Sequence, residues 1–155
     1  MGVLADNKDA VEALLAKYPD RRSGMLPLLW MVQQHERWIS QDSMREVAEV
    51  LDCTEAEVYE VVSFYTMFQQ KPVGKYHIAL CDTLACQVCG AMEVADYLQQ
   101  KHGIEKGKIP ADGRFSIEHA ECIGACSIAP ALLLNEDLHG NLTPDSLDAL
   151  VAACT

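Results

Sequence analysis

The sequence predicts an α+β chain in two parts, an N-terminal helical bundle over residues 1–72 and a small β-α-β-β-α domain over residues 73–155. Three observations predict it. Apolar residues recur at helical spacing as far as about Gln70, and after the break at Lys71-Pro72-Val73-Gly74 they alternate instead. Five of the seven cysteines then fall into two tight groups, each directly after a predicted strand.

In the first part, Val11, Leu14, Leu15 and Tyr18 stand at i, i+3, i+4 and i+7, one apolar stripe on a helix. Pro19 and the Asp20 to Gly24 stretch end it. Leu26 to Trp38 is apolar on more than one face, which suits a helix at the centre of a bundle. Met44, Val47, Ala48 and Leu51 repeat the stripe, as do Val58, Val61, Val62 and Tyr65. Thr54-Glu55-Ala56-Glu57 has the pattern of a capping box, in which Thr and Glu satisfy free N–H groups at a helix start. Four amphipathic segments with short connections predict an antiparallel bundle.

In the second part, Tyr76, Ile78 and Leu80 alternate with His77 and Ala79 as in a strand. Ala91, Val94, Ala95 and Leu98 return to helical spacing, with Gly103 as the stop. Gly107, Pro110 and Gly113 mark a loop. Phe115 and Ile117 open a second strand, and Ala131 to Leu134 form a short buried one. Asp137 to Asn141 is expected to turn, with room for a short edge strand. Thr143-Pro144 caps and opens a last helix whose inner stripe is Leu147, Leu150, Val151 and Cys154. A small sheet in this order, covered by helices, is a thioredoxin-like arrangement.

Composition excludes several classes of function. Half of the residues are apolar and 23% are charged, so a core is available and global disorder is not expected. The net charge of −11 argues against binding nucleic acid or an anionic membrane, which needs a basic face. No apolar run approaches a membrane span, and the N-terminus has no signal-peptide pattern. A soluble, cytoplasmic protein is expected. An odd count of seven cysteines does not fit a fully paired secreted framework; clustered in a reducing compartment, they point to metal or redox chemistry.

The first cysteine group is Cys81, Cys86 and Cys89; the second is Cys122 and Cys126. Four thiolates on two adjacent strand-end loops suit a [2Fe–2S] cluster, two sulfurs to each iron. Gly124 and Ala125 would let backbone N–H groups approach the cluster, and the helix starting near Gly90 would aim its positive end at it. Spacing leaves two ligand sets open. One is Cys81, Cys86, Cys122 and Cys126; the other takes Cys81, Cys86 and Cys89 with one of the later pair, as in plant-type spacing. Two other chemistries compete. Four thiolates could hold a structural Zn²⁺, although C-x4-C with C-x3-C is looser than the usual knuckles. Cys86-Gln-Val-Cys89 stands where a thioredoxin-like dithiol would, with Pro130 before the next strand. That reading leaves Cys81, Cys122 and Cys126 without a role.

At these residues the chain resembles the small [2Fe–2S] subunit of NADH:quinone oxidoreductase, the 24-kDa-subunit family. That family also serves NAD-linked and bifurcating hydrogenases and formate dehydrogenases. The resemblance covers about residues 21 to 152. It rests on Ser63 to Phe68, Lys71 to Tyr76, Cys81-x4-Cys86, Glu121 to Pro130, and Gly140 to Pro144. It implies an N-terminal helical domain, a C-terminal thioredoxin-like ferredoxin domain, and ligation by Cys81, Cys86, Cys122 and Cys126. It also implies a larger flavoprotein partner that binds FMN, NADH and a [4Fe–4S] cluster, with further iron–sulfur subunits beyond it. In that picture NADH passes a hydride to FMN on the partner, and the cluster on this chain exchanges single electrons with the flavin. Where the parent is the respiratory complex, the chain would sit in its peripheral arm without entering the membrane. Cys89 departs from the family pattern. The chain lacks a glycine-rich nucleotide loop of its own, so NADH oxidation by the isolated chain is not expected.

Other residues invite plainer readings. Phe64, Tyr65, Met67 and Phe68 are expected to serve as core or domain packing, with a partner surface as the alternative. His119 and His77 are expected to be ordinary strand or surface histidines, and Cys53 and Cys154 inert apolar positions. Asp82 and Thr83 are expected to shape the first ligand turn. A hydrogen bond from Thr83 to a cluster sulfur has no support in sequence alone.

Overall fold

A computed structural model of the chain describes residues 2–109 and 112–154. The chain divides into two compact units, Met1–Pro72 and Val73–Thr155.

The first unit is helical: α1 (Val3–Asp6), α2 (Lys8–Leu15), a 3-10 turn (Arg21–Gly24), α3 (Met25–Glu36), α4 (Gln41–Leu51) and α5 (Glu55–Phe64). Its core gathers Val11 and Leu15 of α2, Leu28, Leu29 and Val32 of α3, Val47 and Leu51 of α4, and Val58 and Val62 of α5. Met44, Val47, Ala48 and Leu51 are all buried, as are Val11, Leu15, Val58 and Val62 of the other stripes, whereas Tyr18 and Tyr65 lie beyond the ends of their helices and Tyr65 is exposed. α1 is an addition to the expected bundle; its four residues are too few to show a period, yet Leu4 is buried in the core.

The capping box of α5 is formed. The Thr54 hydroxyl accepts from the Glu57 N–H, and the Glu57 carboxylate accepts from the Thr54 N–H and hydroxyl at 2.8 Å each. Arg22 also pairs with this carboxylate. Hydrogen bonds from Thr54 and then from Arg22 lower the Glu57 pKa to about 2. A carboxylate depressed on folding adds stability above its ordinary pKa and loses it as pH falls toward the folded value. We therefore expect the helical unit to weaken between pH of about 5 and about 2. Glu57→Gln retains the cap geometry without the charge, so its stability should fall less steeply over that window. Urea titrations of both forms at several pH values check this, and equal slopes would assign the acid loss to other carboxylates.

The aromatic run departs from expectation. α5 ends at Phe64, and Tyr65 is extended (φ −91°, ψ 106°), so helical spacing no longer decides which residues point inward. Phe68 enters the core beside Trp30, but Phe64 is 76% and Met67 51% exposed. A core role holds for Phe68 and fails for those two.

The second unit is built on β1 (Tyr76–Cys81), α6 (Leu84–Val88), α7 (Ala91–His102), β2 (Phe115–Ala120), a 3-10 turn (Cys126–Ile128), β3 (Leu132–Leu134), β4 (Asp137–His139) and α8 (Pro144–Ala153). The sheet order is β2-β1-β3-β4. β1 and β2 are parallel, from Tyr76 opposite Phe115 to Cys81 opposite Ala120. β3 runs antiparallel to β1, with Leu80 opposite Leu132, and β4 closes the edge against β3. The β-α-β-β-α reading thus gains a short helix, α6, and makes the edge strand definite. Gly107 and Gly113 lie in the connection before β2, while Pro110 falls outside the described residues.

Ile78 and Leu80 of β1, Val94 and Leu98 of α7, Phe115 and Ile117 of β2, Leu132 and Leu147 form the core here. Asp148 of α8 accepts from Tyr97 at 3.0 Å and pairs with His102 and Lys101 of α7, tying the two helices together. His77 is a sheet residue, 2.8 Å from the Ser116 hydroxyl. Gly74 is required where the chain enters the sheet: a Cβ there would lie 2.5 Å from the Phe115 backbone.

Candidate metal centre

Strand direction gathers the cysteines. Because β1 and β2 are parallel, their C-terminal ends finish side by side, with Cys81 opposite Ala120. Cys122 follows two residues beyond that partner. β3 starts at the same end, so the Cys126 turn and Ala131 return there as well; the Cys81 N–H donates to the Ala131 carbonyl at 3.1 Å. Cys81, Cys86, Ala91, Ala125 and Ala131 form one buried cluster, with Ile123, Ile128 and Ala129 packed on it. The two cysteine segments, the start of α7 and the approach to β3 thus converge on one place, lined by small alanines.

The sulfurs meet as two pairs. Cys81 and Cys86 act on each other through a hydrogen bond, as do Cys122 and Cys126, and Cys126 also feels the charge of Cys81. The first pair is buried and the second exposed. Among the described residues, no three His, Cys, Asp or Glu side chains converge to hold a single ion. Two pairs of thiolates, one from each strand-end segment, match the donor set of a cluster with two irons.

Burial raises the Cys81 thiol, but hydrogen bonds outweigh it and hold the group below its ordinary pKa. The donors are the Thr83 hydroxyl and N–H, the Ile123 N–H and the Cys86 thiol. Thr83 Oγ1 lies 3.2 Å from Cys81 Sγ. Thr83 stands at the N-cap of α6 yet makes no side-chain cap bond there, because its hydroxyl turns to the sulfur. Cys86 is raised, first by burial and then by its neighbour Cys81, while the Ala131 N–H opposes this. Cys126 is raised by the charge of Cys122. The effect runs one way in each pair, Cys81 raising Cys86 and Cys122 raising Cys126.

Each segment is shaped for this arrangement. α6 turns Cys86 inward one residue after Ala85. Cys86 therefore sits on a five-residue helix rather than on the expected loop, and Cys81 is the last residue of its strand. Gly124 has φ +75°, a conformation that favours glycine, and a Cβ there would meet nothing. The turn itself calls for glycine. His119 Nδ1 lies 3.2 Å from the Asp82 carboxylate, joining the ends of β1 and β2 just behind Cys81.

The competing chemistries fare differently. An attacking dithiol cysteine needs an exposed, acidified thiol. Cys86 is buried and raised, and its CxxC neighbour Cys89 is exposed at the end of α6. Cys53 and Cys154 are both raised chiefly by burial, in keeping with inert positions.

Residues 11–155 match the family of thioredoxin-like [2Fe-2S] ferredoxins. The chain belongs to that family. Among curated relatives, an NADH-quinone oxidoreductase subunit of Rhizobium meliloti is 39% identical over 93% of this chain and 86% of that protein. NADH-quinone oxidoreductase subunit 2 of Thermus thermophilus is 41% identical over 98% of this chain and 86% of that protein. Among solved structures, an NAD+-reducing [NiFe]-hydrogenase in its air-oxidised state superposes with a TM-score of 0.72 at 25% identity. That match takes in 84% of this chain and 22% of the hydrogenase chain, so the present chain resembles only about a fifth of it.

Membership in the thioredoxin-like ferredoxin family accords with the sheet order and with the cysteines at the strand ends. Among the described residues, no helix is long and apolar enough to cross a membrane. The sulfur-directed donors that sequence reading missed are the Ile123 and Ala131 N–H groups. Backbone donors carry no residue signature, and only the strand register places them.

Proposed function

We propose that this chain carries one [2Fe–2S] cluster on Cys81, Cys86, Cys122 and Cys126. It exchanges single electrons with the FMN of an NADH-oxidising flavoprotein subunit, within an NADH:quinone oxidoreductase-type complex. The observation that carries this reading is the parallel register of β1 and β2, which delivers two thiol pairs to one sheet end. When bound, the cluster supplies a store for one electron. The chain supplies ligands, the Thr83 and backbone donors, and a wall of alanines around the buried pair. FMN, NADH and a [4Fe–4S] cluster belong to the partner in this reading, and further iron–sulfur subunits lie beyond it. The relatives named NADH-quinone oxidoreductase subunits support that parent complex. The hydrogenase superposition favours, as a second reading, the same module in a soluble NAD-linked hydrogenase.

Iron and acid-labile sulfide in equal amounts, two of each per chain, are the expected content of the purified protein. Zinc in their place would replace the electron-transfer reading with a structural one. Cys89→Ser should leave iron and sulfide unchanged, because the thiols that act on each other are Cys81 with Cys86 and Cys122 with Cys126, and Cys89 is in neither pair. Loss of iron in that variant would move the ligand set to the plant-type spacing.

Thr83 gives a graded test. A donor to a ligand sulfur stabilises the more negative, reduced state. Thr83→Val should therefore lower the midpoint potential by roughly 20–60 mV, taking about 1 kcal/mol for the bond and the one-electron conversion. Thr83→Ser should keep most of the original value. A potentiometric titration of both variants checks this.

A further inference from the structure

The second unit exposes large apolar side chains on the helix that carries Cys86. Leu84 and Val88 are each 79% exposed, and Met92, at the start of α7, is 46% exposed. Leu84 and Val88 are separated by four residues, so they share one side of α6, while Cys86 between them is buried. Packing within this unit does not explain them: α6 buries its cysteine and gives water its leucine and valine. Apolar side chains presented together beside a functional site mark a surface that another molecule covers.

Charge narrows what that molecule is. Neither Tyr76 to Gln100 nor Phe115 to the C-terminus contains a lysine or arginine. Glu93, Asp96 and Glu121 are exposed in these stretches, and the four-thiolate site adds negative charge of its own. The sulfur end is thus apolar on α6, acidic along α7 and at the second ligand segment, and without cations. Such a face repels a second copy of itself and any anionic surface. It complements a protein face with an apolar centre and a rim of Lys and Arg.

We propose that Leu84 and Val88 form the docking face on which the electron-exchange partner seats, and that the partner presents a basic-rimmed apolar patch to it. This rests on the reading that the partner is the NADH-oxidising flavoprotein subunit. The placement suits the task. Electronic coupling decays steeply with separation, and contact at α6 sets the partner against the helix that holds one of the sulfurs. Opposite charge speeds the encounter, and the apolar contacts hold the complex once it has formed.

The test pairs Leu84→Gln/Val88→Gln with the wild type, both with cluster assembled, against the NADH-oxidising flavoprotein subunit produced from the same genome. Both side chains are exposed, so iron content and dithionite reduction should match the wild type. The proposal expects association of the variant to weaken about tenfold or more, from loss of the apolar contact. It also expects wild-type association to weaken as salt rises. Unchanged affinity in the variant overturns the docking face while leaving the electron-transfer reading in place. A wild type that does not bind the flavoprotein overturns that reading and this proposal together. A wild type that is dimeric where the variant is monomeric assigns the patch to a second copy, and also overturns the proposal.

Discussion

The Cys126→Ala variant is expected to fold as the wild type does and to lose its iron. Cys126 is exposed, outside the apolar core of its unit, and forms no strand bond that its thiol supports. What the thiol does is complete the second pair with Cys122 and bring charge toward Cys81. Even partners one shell out from a metal change its affinity by roughly 10–100-fold, so on the proposed ligand set the loss of Cys126 should exceed that. Cys122→Ala is expected to behave in the same way. Cys81→Ala and Cys86→Ala should also lose the cluster, with some loss of packing because both are buried. Iron per chain, measured beside the far-ultraviolet circular dichroism, separates loss of ligand from loss of fold. A Cys122→Ala protein with full iron would show that Cys89 completes the set instead.

Leu98→Ala should give the largest effect on stability. Leu98 is fully buried on α7, in the core that α7 shares with β1 and α8. Truncating such a leucine removes its transfer energy and leaves a cavity, for about 2–5 kcal/mol. Against a typical stability of roughly 5–15 kcal/mol this is a large fraction. Leu98 lies outside the cluster of residues around the cysteines, so iron content at low temperature should remain that of the wild type. Urea unfolding followed by circular dichroism checks the size of the loss. A shift below about 1 kcal/mol would mean that the site collapses around the cavity, and that the helix contributes less to the core than its burial indicates.

Much of this architecture could be read from the chain because its signals are local. The stripe at Met44, Val47, Ala48 and Leu51, the capping box at Thr54, the cap at Thr143 and the Gly103 stop each occupy a few adjacent residues. The alternation at Ile78 and Leu80 marked the central strand for the same reason. α1, α6 and β4 escaped a firm reading because three to five residues give too few repeats of a period to stand out. α6 also inverts the usual rule, since its apolar residues face water. The aromatic run misled because helical spacing was extended past Phe64, where the backbone leaves the helix.

The candidate site was legible in part. Two cysteine groups after two strands predicted a shared centre; the parallel register sets Cys81 opposite Ala120, two residues before Cys122, and Cys126 feels the charge of Cys81. Spacing alone kept Cys89 in contention, because a pattern along the chain does not encode which strand ends lie side by side. The Thr83 hydroxyl, the Ile123 and Ala131 N–H groups and the Asp82–His119 pair all depend on that register. Register is a long-range property, so none of these features has a signature along the chain.

The most direct test of the central claim is an electron paramagnetic resonance spectrum of the anaerobically purified chain, taken before and after dithionite. A [2Fe–2S] cluster gives a silent oxidised protein and, after reduction, a rhombic signal whose average g lies below that of the free electron. A colourless protein that stays silent after reduction and carries zinc would contradict that claim, and the sulfur pairs would then be a structural site on the same fold.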